Sequence, residues 1–223
     1  MELGLFYFHK ICYNKRMIIT FLGKQFFKIQ QGELVVAFNP ISKDSKLSGS
    51  RFGSDIAFST TNHPDFNGFD MVTHGDNVPF AIHGPGDYEV RDIFIKGIMS
   101  ETTLSDKKYI NTIYSLTIEN ISICFLGAIS NSKKNTDIVG QIESPDILFV
   151  PVGNDELLSA SEAYKIAVTL EPKIIIPMDY DDKSLKAFLK EGGQESVKAI
   201  DKLTIKAKDL AALEGQIVVL SNS

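Results

Sequence analysis

Between residues 18 and 126 the apolar side chains of this chain recur in short runs with a period of two. After Ser130 they give way to continuous apolar runs that alternate with helical stripes. This switch constrains the fold more than any other feature, because a period of two lines one face of a strand and spacings of three and four line one side of a helix. Residues 18–22, 26–29 and 34–38 are β-branched and aromatic, with Gln31-Gly32 as a turn, and read as an antiparallel meander. Asn39-Pro40 stops the third strand, and residues 42–54 form a polar loop. A strand at 55–59 leads into a polar loop carrying His63 and Asp65, and a further loop lies around 75–77. Residues 79–82 run into the tight turn His83-Gly84-Pro85-Gly86-Asp87. Two more strands are expected at 88–98 and 110–118, with Glu119-Asn120 turning the second into a strand at 121–126.

In the second half, residues 146–150 are a run of the kind buried on both faces. Ser159 with Glu162 makes a capping box. Ala163, Ile166, Ala167 and Leu170 then put one apolar stripe on a helix that ends before Pro172. A buried strand at 173–178 follows. Asp182 is expected to cap a second helix, with Leu185, Phe188 and Leu189 on one face and Gly192-Gly193 as its stop. Strands return at 203–205 and 216–220. Strands first, then strand-helix-strand-helix, implies an α/β sandwich with helices over sheets.

Composition narrows the function classes. With 223 residues, 43% hydrophobic and 23% charged, the chain can bury a substantial core. Residues 17–223 read as a single domain, and residues 1–16 as an N-terminal extension, either disordered or an added strand, with Met17 as an alternative start. A net charge of −5 argues against general nucleic-acid binding. The pairs Lys107-Lys108 and Lys133-Lys134 read as solvated loop charges. Cys12 and Cys124 form neither a disulfide framework nor a thiolate zinc site, and Cys124 reads as a small buried hydrophobe. No apolar run approaches the roughly 20 residues of a membrane-spanning helix. No signal peptide is evident, so a cytoplasmic location without membrane association is the expectation.

The order of several short segments carries a family resemblance. These are Phe21-Leu22-Gly23, Phe38-Asn39-Pro40, residues 55–67, Gly84-Pro85-Gly86-Asp87-Tyr88-Glu89-Val90, Phe125-Leu126-Gly127, Phe149-Val150-Pro151-Val152-Gly153, and residues 172–180. In this order and spacing the chain resembles the metallo-β-lactamase fold superfamily, in the branch of small predicted zinc-dependent hydrolases similar to sugar-phosphate lactonases. The resemblance spans residues 17 to 220. It implies an αβ/βα four-layer sandwich of two mixed β-sheets, with a site at one edge built from connecting loops. It also implies two zinc ions sharing a hydroxide that attacks an ester, lactam, lactone or phosphodiester.

The same resemblance exposes a degenerate metal site. Where the family pattern reads His-x-His-x-Asp-His, this chain has Thr61-Asn62-His63-Pro64-Asp65-Phe66. Ala128 stands where a bridging aspartate is implied, and Asp179 where a final histidine is. No histidine follows Gly97 within residues 98–104. Lys24 replaces a histidine and Asn39 an aspartate in the supporting positions. The candidate site is therefore Lys24, Asn39, His63, Asp65 and Asp179, with His63, Asp65 and Asp179 the weak metal candidates.

The expectation is a pseudoenzyme, without a resident cofactor, that binds a small molecule or a protein partner. The alternative is a hydrolase holding one zinc or other divalent metal. Lys24 is expected to neutralise Asp65 or Asp179. Homo-oligomer formation through exposed strand edges is a further expectation. His63 reads as a loop-fixing hydrogen bonder and Asp65 as a cap for backbone amides. His74 and His83 read as surface loop residues.

Overall fold

The computed structural model describes residues 16–153 and 156–223. The extension read at residues 1–16 lies, apart from Arg16, outside the described residues. The meander forms as the alternation requires: β1 (Met17–Phe21), β2 (Phe27–Gln31) and β3 (Leu34–Phe38) pair antiparallel. The short strands β4 (Ile56–Phe58) and β5 (Phe80–Ile82) continue that sheet in parallel.

Next come β6 (Gly86–Val90), β7 (Ile93–Leu104), β8 (Lys107–Ile118) and β9 (Ile121–Phe125), an antiparallel run of hairpins. The remaining elements are α1 (Lys133–Val139), β10 (Ile147–Pro151), α2 (Ala160–Leu170), β11 (Ile174–Met178), α3 (Asp182–Glu191), β12 (Lys202–Ile205) and β13 (Gln216–Ile217). Two mixed sheets result. Six strands run β12-β1-β2-β3-β4-β5, and seven run β13-β11-β10-β9-β8-β7-β6.

The sheets face one another across an aromatic core. The Phe38 ring stacks on Phe58 at 4.5 Å and on Phe125 at 4.6 Å, and Phe27 meets Phe149 edge-on at 4.8 Å. Each such ring, fully buried, stabilises the fold by roughly 1.5–3 kcal/mol from area alone. The helices cover the outer face of the seven-stranded sheet, where Leu148, Val150, Ala163, Ala167 and Phe188 share a second core. On the outer face of the six-stranded sheet Ala37 and Ala57 lie beneath Ile41, Val72 and Phe52, from the loop and 3-10 turn that follow the meander. Among the described residues no helix is long and apolar enough to cross a membrane.

Some local expectations differ from what forms. Residues 88–98 are not one strand: Arg91 and Asp92, at φ 53° and 60°, make a two-residue reversal between β6 and β7. Such primed turns match the strand twist, and they can form without glycine. Strands β7 and β8 also extend beyond the expected ends as a 12-residue hairpin, closed by Ser105 and Asp106 at φ 49° and 62°. Lys133 and Lys134 begin α1 instead of lying in a loop, and Lys134 pairs with Glu101. The N-cap of α3 is Asp181, not Asp182, with Ser184 completing the capping box.

The parallel order sets the position of the site. Strands β3 and β4 point the same way, as do β9, β10 and β11. Their C-terminal loops therefore gather at one edge, the usual place for ligand-binding residues in open α/β sheets.

Candidate functional site

Three of the residues singled out in the sequence sit just past strand ends in the left-handed conformation. Lys24 follows β1 at φ 52°, Asn39 ends β3 at φ 47°, and Asp179 ends β11 at φ 53°. Non-glycine residues there cost of order 1 kcal/mol or more each, so the surrounding contacts must hold them. One such contact is direct: the Asp179 backbone N–H donates to the Lys24 carbonyl at 2.8 Å. That bond ties the end of β11 to the end of β1.

The side chains converge on the same point. Lys24 Nζ lies 3.3 Å from Asp179 Oδ1 and 3.8 Å from Asp65 Oδ2. The three side chains are 28%, 15% and 21% exposed, so the ammonium and carboxylates are sheltered but not sealed from water. Gln25 Nε2 donates to Asp179 Oδ2 at 2.9 Å, and the Ser45 hydroxyl donates to Asp65 Oδ1 at 2.5 Å. Each carboxylate thus meets the ammonium with one oxygen and a neutral donor with the other. Asp65 is held by a hydroxyl and a cation, not by the backbone amides expected of it. The Lys24 ammonium also stands over the Phe66 ring, 5.7 Å from its centroid.

His63 completes the rim. Its Nδ1 accepts from the Asp65 backbone N–H at 3.2 Å, the loop-fixing bond that its position before Pro64 suggested. The ring packs edge-on to Tyr109 at 5.8 Å and lies 3.8 Å, at Nδ1, from Asp65 Oδ2. His74 and His83 are exposed and belong to the loops around them.

Asn39 lies apart from the charged group, fully buried. Its amide donates to Gln25 Oε1 at 3.1 Å and to Thr60 Oγ1 at 2.9 Å, and its Oδ1 accepts from the Thr60 N–H at 2.8 Å. Asn39 therefore acts on Asp179 through Gln25. Residues 59–61 carry three buried hydroxyls, and all three are committed. Ser59 donates to the Thr61 carbonyl, Thr60 accepts from Asn39, and Thr61 donates to Asn111 Oδ1 at 3.2 Å.

Asn111, Gln25 and Ser45 are site residues that the sequence reading passed over. Asn111 Oδ1 also accepts from the Ala128 N–H at 2.9 Å, while its amide donates to Ser100 Oγ and to the Leu126 carbonyl. Gly127 permits this approach: at φ 66°, a Cβ there would meet Asn111 Oδ1 at 2.5 Å. An asparagine buried within a strand of β-branched neighbours was the available signal, since asparagine is depleted in strands. Gln25 could be suspected only from its place beside Lys24, and Ser45 gave no signal.

On the other side of His63 the site is apolar. Phe66 is fully buried and shares a small cluster with Ala128, Leu104 and Leu157, with Tyr109 packed against it. Ordinary packing thus fills two positions at which the family pattern implies metal ligands.

A family model described as the beta-lactamase superfamily domain matches residues 18–179. The chain belongs to that superfamily. Among solved structures, this superfamily member is similar to a candidate Zn-dependent hydrolase of the metallo-beta-lactamase superfamily from Thermotoga maritima. That likeness has 26% identity and a TM-score of 0.70, covering 92% of this chain and 98% of the other. A candidate metal-dependent hydrolase from Parabacteroides distasonis shares the fold at 16% identity and TM-score 0.65, covering 93% and 94% of the two chains. So does the metallo hydrolase Igni18 from Ignicoccus hospitalis, at 15% identity and TM-score 0.62, covering 86% and 99%. No curated protein matches the chain.

The superfamily implies a metal, and the residues of this member do not fit one. Among the described residues no three His, Cys, Asp or Glu side chains stand grouped so as to hold an ion. The nearest approach to such a set, His63, Asp65 and Asp179, has the Lys24 ammonium inside it. A cation already present repels a second one brought to the same carboxylates. Phe66 and Ala128 offer no donor atom at all.

A cavity of about 560 Å³ lies away from this edge. Its lining includes Phe94, Lys96, Ser115, Ser122 and Ile142, toward the opposite end of β9.

Proposed function

We propose that this chain is a non-catalytic member of the superfamily, a pseudoenzyme that binds a small molecule or a protein partner at the edge formed by Lys24, His63, Asp65 and Asp179. The observation that carries this reading is the Lys24 ammonium, 3.3 and 3.8 Å from two carboxylates that would otherwise be the natural hard ligands of a divalent ion. The apolar cluster around Phe66 and Ala128 supports it from the other side, because a dinuclear centre needs donors where these side chains offer none. What remains at the edge is a hydrogen-bonded polar surface. One ammonium faces two carboxylates there, the hydroxyls are engaged, and the rim is lined by His63 and Tyr109.

Metal analysis of protein purified without a histidine tag tests the reading. The expected result is trace metal only, with no hydrolysis of ester, lactone or phosphodiester substrates. About one equivalent of tightly bound zinc, manganese or iron, lost in His63→Ala together with a hydrolase activity, would replace it by the mononuclear hydrolase.

A further inference from the structure

We infer that the cavity on the outer face of the seven-stranded sheet binds a free α-amino acid with an aromatic side chain. Its carboxylate would meet Lys96, its ammonium Asp87 and its ring Phe94. This site is separate from the Lys24 edge and does not depend on the reading given to that edge.

The cavity follows from how the sheet is covered. Ile93 and Ile95 of β7 face the core between the sheets, so Phe94, Lys96 and Ile98 face outward. Beside them on β8 the outward residues are small: Ser115, directly opposed to Lys96, and then Thr117. Helix α1 closes over the far end of β7, where Asn135 bonds the backbone of Glu101. The near end is left open, and the loop after α1, carrying Ile142 and Glu143, forms a wall beside it. A floor of small side chains between a ring and a wall leaves about 560 Å³, a volume ordinary for a small-molecule site.

Charge defines the occupant. Asp87 on β6 and Lys96 on β7 are directly opposed in the register, which sets their Cβ atoms about 5 Å apart. Even so, among the described residues neither enters an ion pair or a side-chain hydrogen bond. An acid and a base held side by side but not joined match a group whose own opposite charges are side by side, the carboxylate and ammonium of one α-carbon. Such a zwitterion satisfies both, whereas a simple anion or cation meets one and is repelled by the other. Glu143 on the facing wall adds a second carboxylate, which directs the ligand's carboxylate toward Lys96. Phe94 sets the rest of the ligand. It is 71% exposed on the face it shares with Lys96, and a second ring laid against it takes both surfaces out of water.

Calorimetric titration with L-phenylalanine tests the inference. L-Phenylalaninamide and N-acetyl-L-phenylalanine, each lacking one charge, are the comparison ligands. The proteins are the wild type, Lys96→Met, Asp87→Asn, Phe94→Ser and His63→Ala, with Lys96→Gln in reserve should Lys96→Met fail to fold. Wild type is expected to bind L-phenylalanine with a Kd of about 1 mM or tighter, and each analogue about tenfold more weakly. Lys96→Met should lose the preference over the amide, and Asp87→Asn the preference over the N-acetyl compound. Phe94→Ser should weaken binding about tenfold, and His63→Ala should bind as wild type does.

Absence of saturable L-phenylalanine binding to the wild-type protein overturns the inference. Binding that the Lys96 and Asp87 variants leave unchanged overturns it as well, by locating the ligand elsewhere. If that same binding is lost in His63→Ala, the ligand belongs to the Lys24 edge, and the reading proposed for that edge gains what this one loses.

Discussion

The two halves of the site edge are built on opposite principles. On the side of Phe66, Ala128, Leu104 and Leu157 the side chains are core, buried and apolar. On the side of Lys24, Asp65 and Asp179 polar groups meet a charge supplied from within the chain. The first half draws its stability from packing, which is short-ranged and large. The second draws it from a partly exposed charge group, whose net worth is small because water competes for the same ions. Substitutions should separate the two halves by size of effect.

The largest loss is expected on the apolar side. Phe66→Ala removes a fully buried ring and should destabilise the protein by about 3–5 kcal/mol, read as a shift in the urea midpoint. Asn111→Ala comes next. It leaves the Thr61 hydroxyl and the Ala128 N–H buried without their acceptor, and about 2–3 kcal/mol is expected from the lost bonds. An effect below that of a surface substitution would mean that Asn111 does not join β8 to the loop after β9.

On the charged side Lys24→Met should cost only about 1 kcal/mol or less in the absence of metal, by the same denaturation. A loss as large as that of Phe66→Ala would erase the contrast between the halves.

The fourth expectation concerns pH. Burial pushes the Cys124 thiol up to about 12 from its ordinary 9.0, and burial also raises the Tyr114 hydroxyl. A raised acid stabilises the folded state fully below its unfolded value, and that contribution fades as the unfolded chain begins to ionise. Stability should therefore hold up to about pH 8 and fall progressively above pH 9. Cys124→Ala should make the fall shallower. Over the same range Cys124 should resist thiol reagents in the folded protein, since the protonated, buried thiol is unreactive.

How much of this could be read in the sequence follows from how local each feature is. Leu34–Phe38 and the Ser159–Glu162 capping box were legible because alternation and cap spacing are properties of neighbouring residues. The Arg91-Asp92 reversal was not, because the twist of the paired strands favours it and no glycine marks it. Helix α1 was missed for a related reason: in its seven residues only Asn135 and Val139 are buried, too few to show a stripe.

At the site, the family resemblance singled out Lys24 and Asp179, and the structure places them in contact. The partners that hold the carboxylates, Gln25 and Ser45, could not be identified, because nothing in a glutamine or a serine declares which distant acid it will meet. Asn39 was grouped with the charged residues, whereas it lies buried behind them and reaches Asp179 only through Gln25.

In this chain an ammonium stands against the two carboxylates best suited to hold a divalent ion. Crystals of the wild-type protein soaked in Zn²⁺, measured on both sides of the zinc absorption edge, test it most directly. The account predicts no anomalous peak among Asp65, Asp179 and His63, with Lys24 Nζ still between the two carboxylates. A peak bonded to Asp65 and Asp179, with the Lys24 side chain displaced from them, would contradict it.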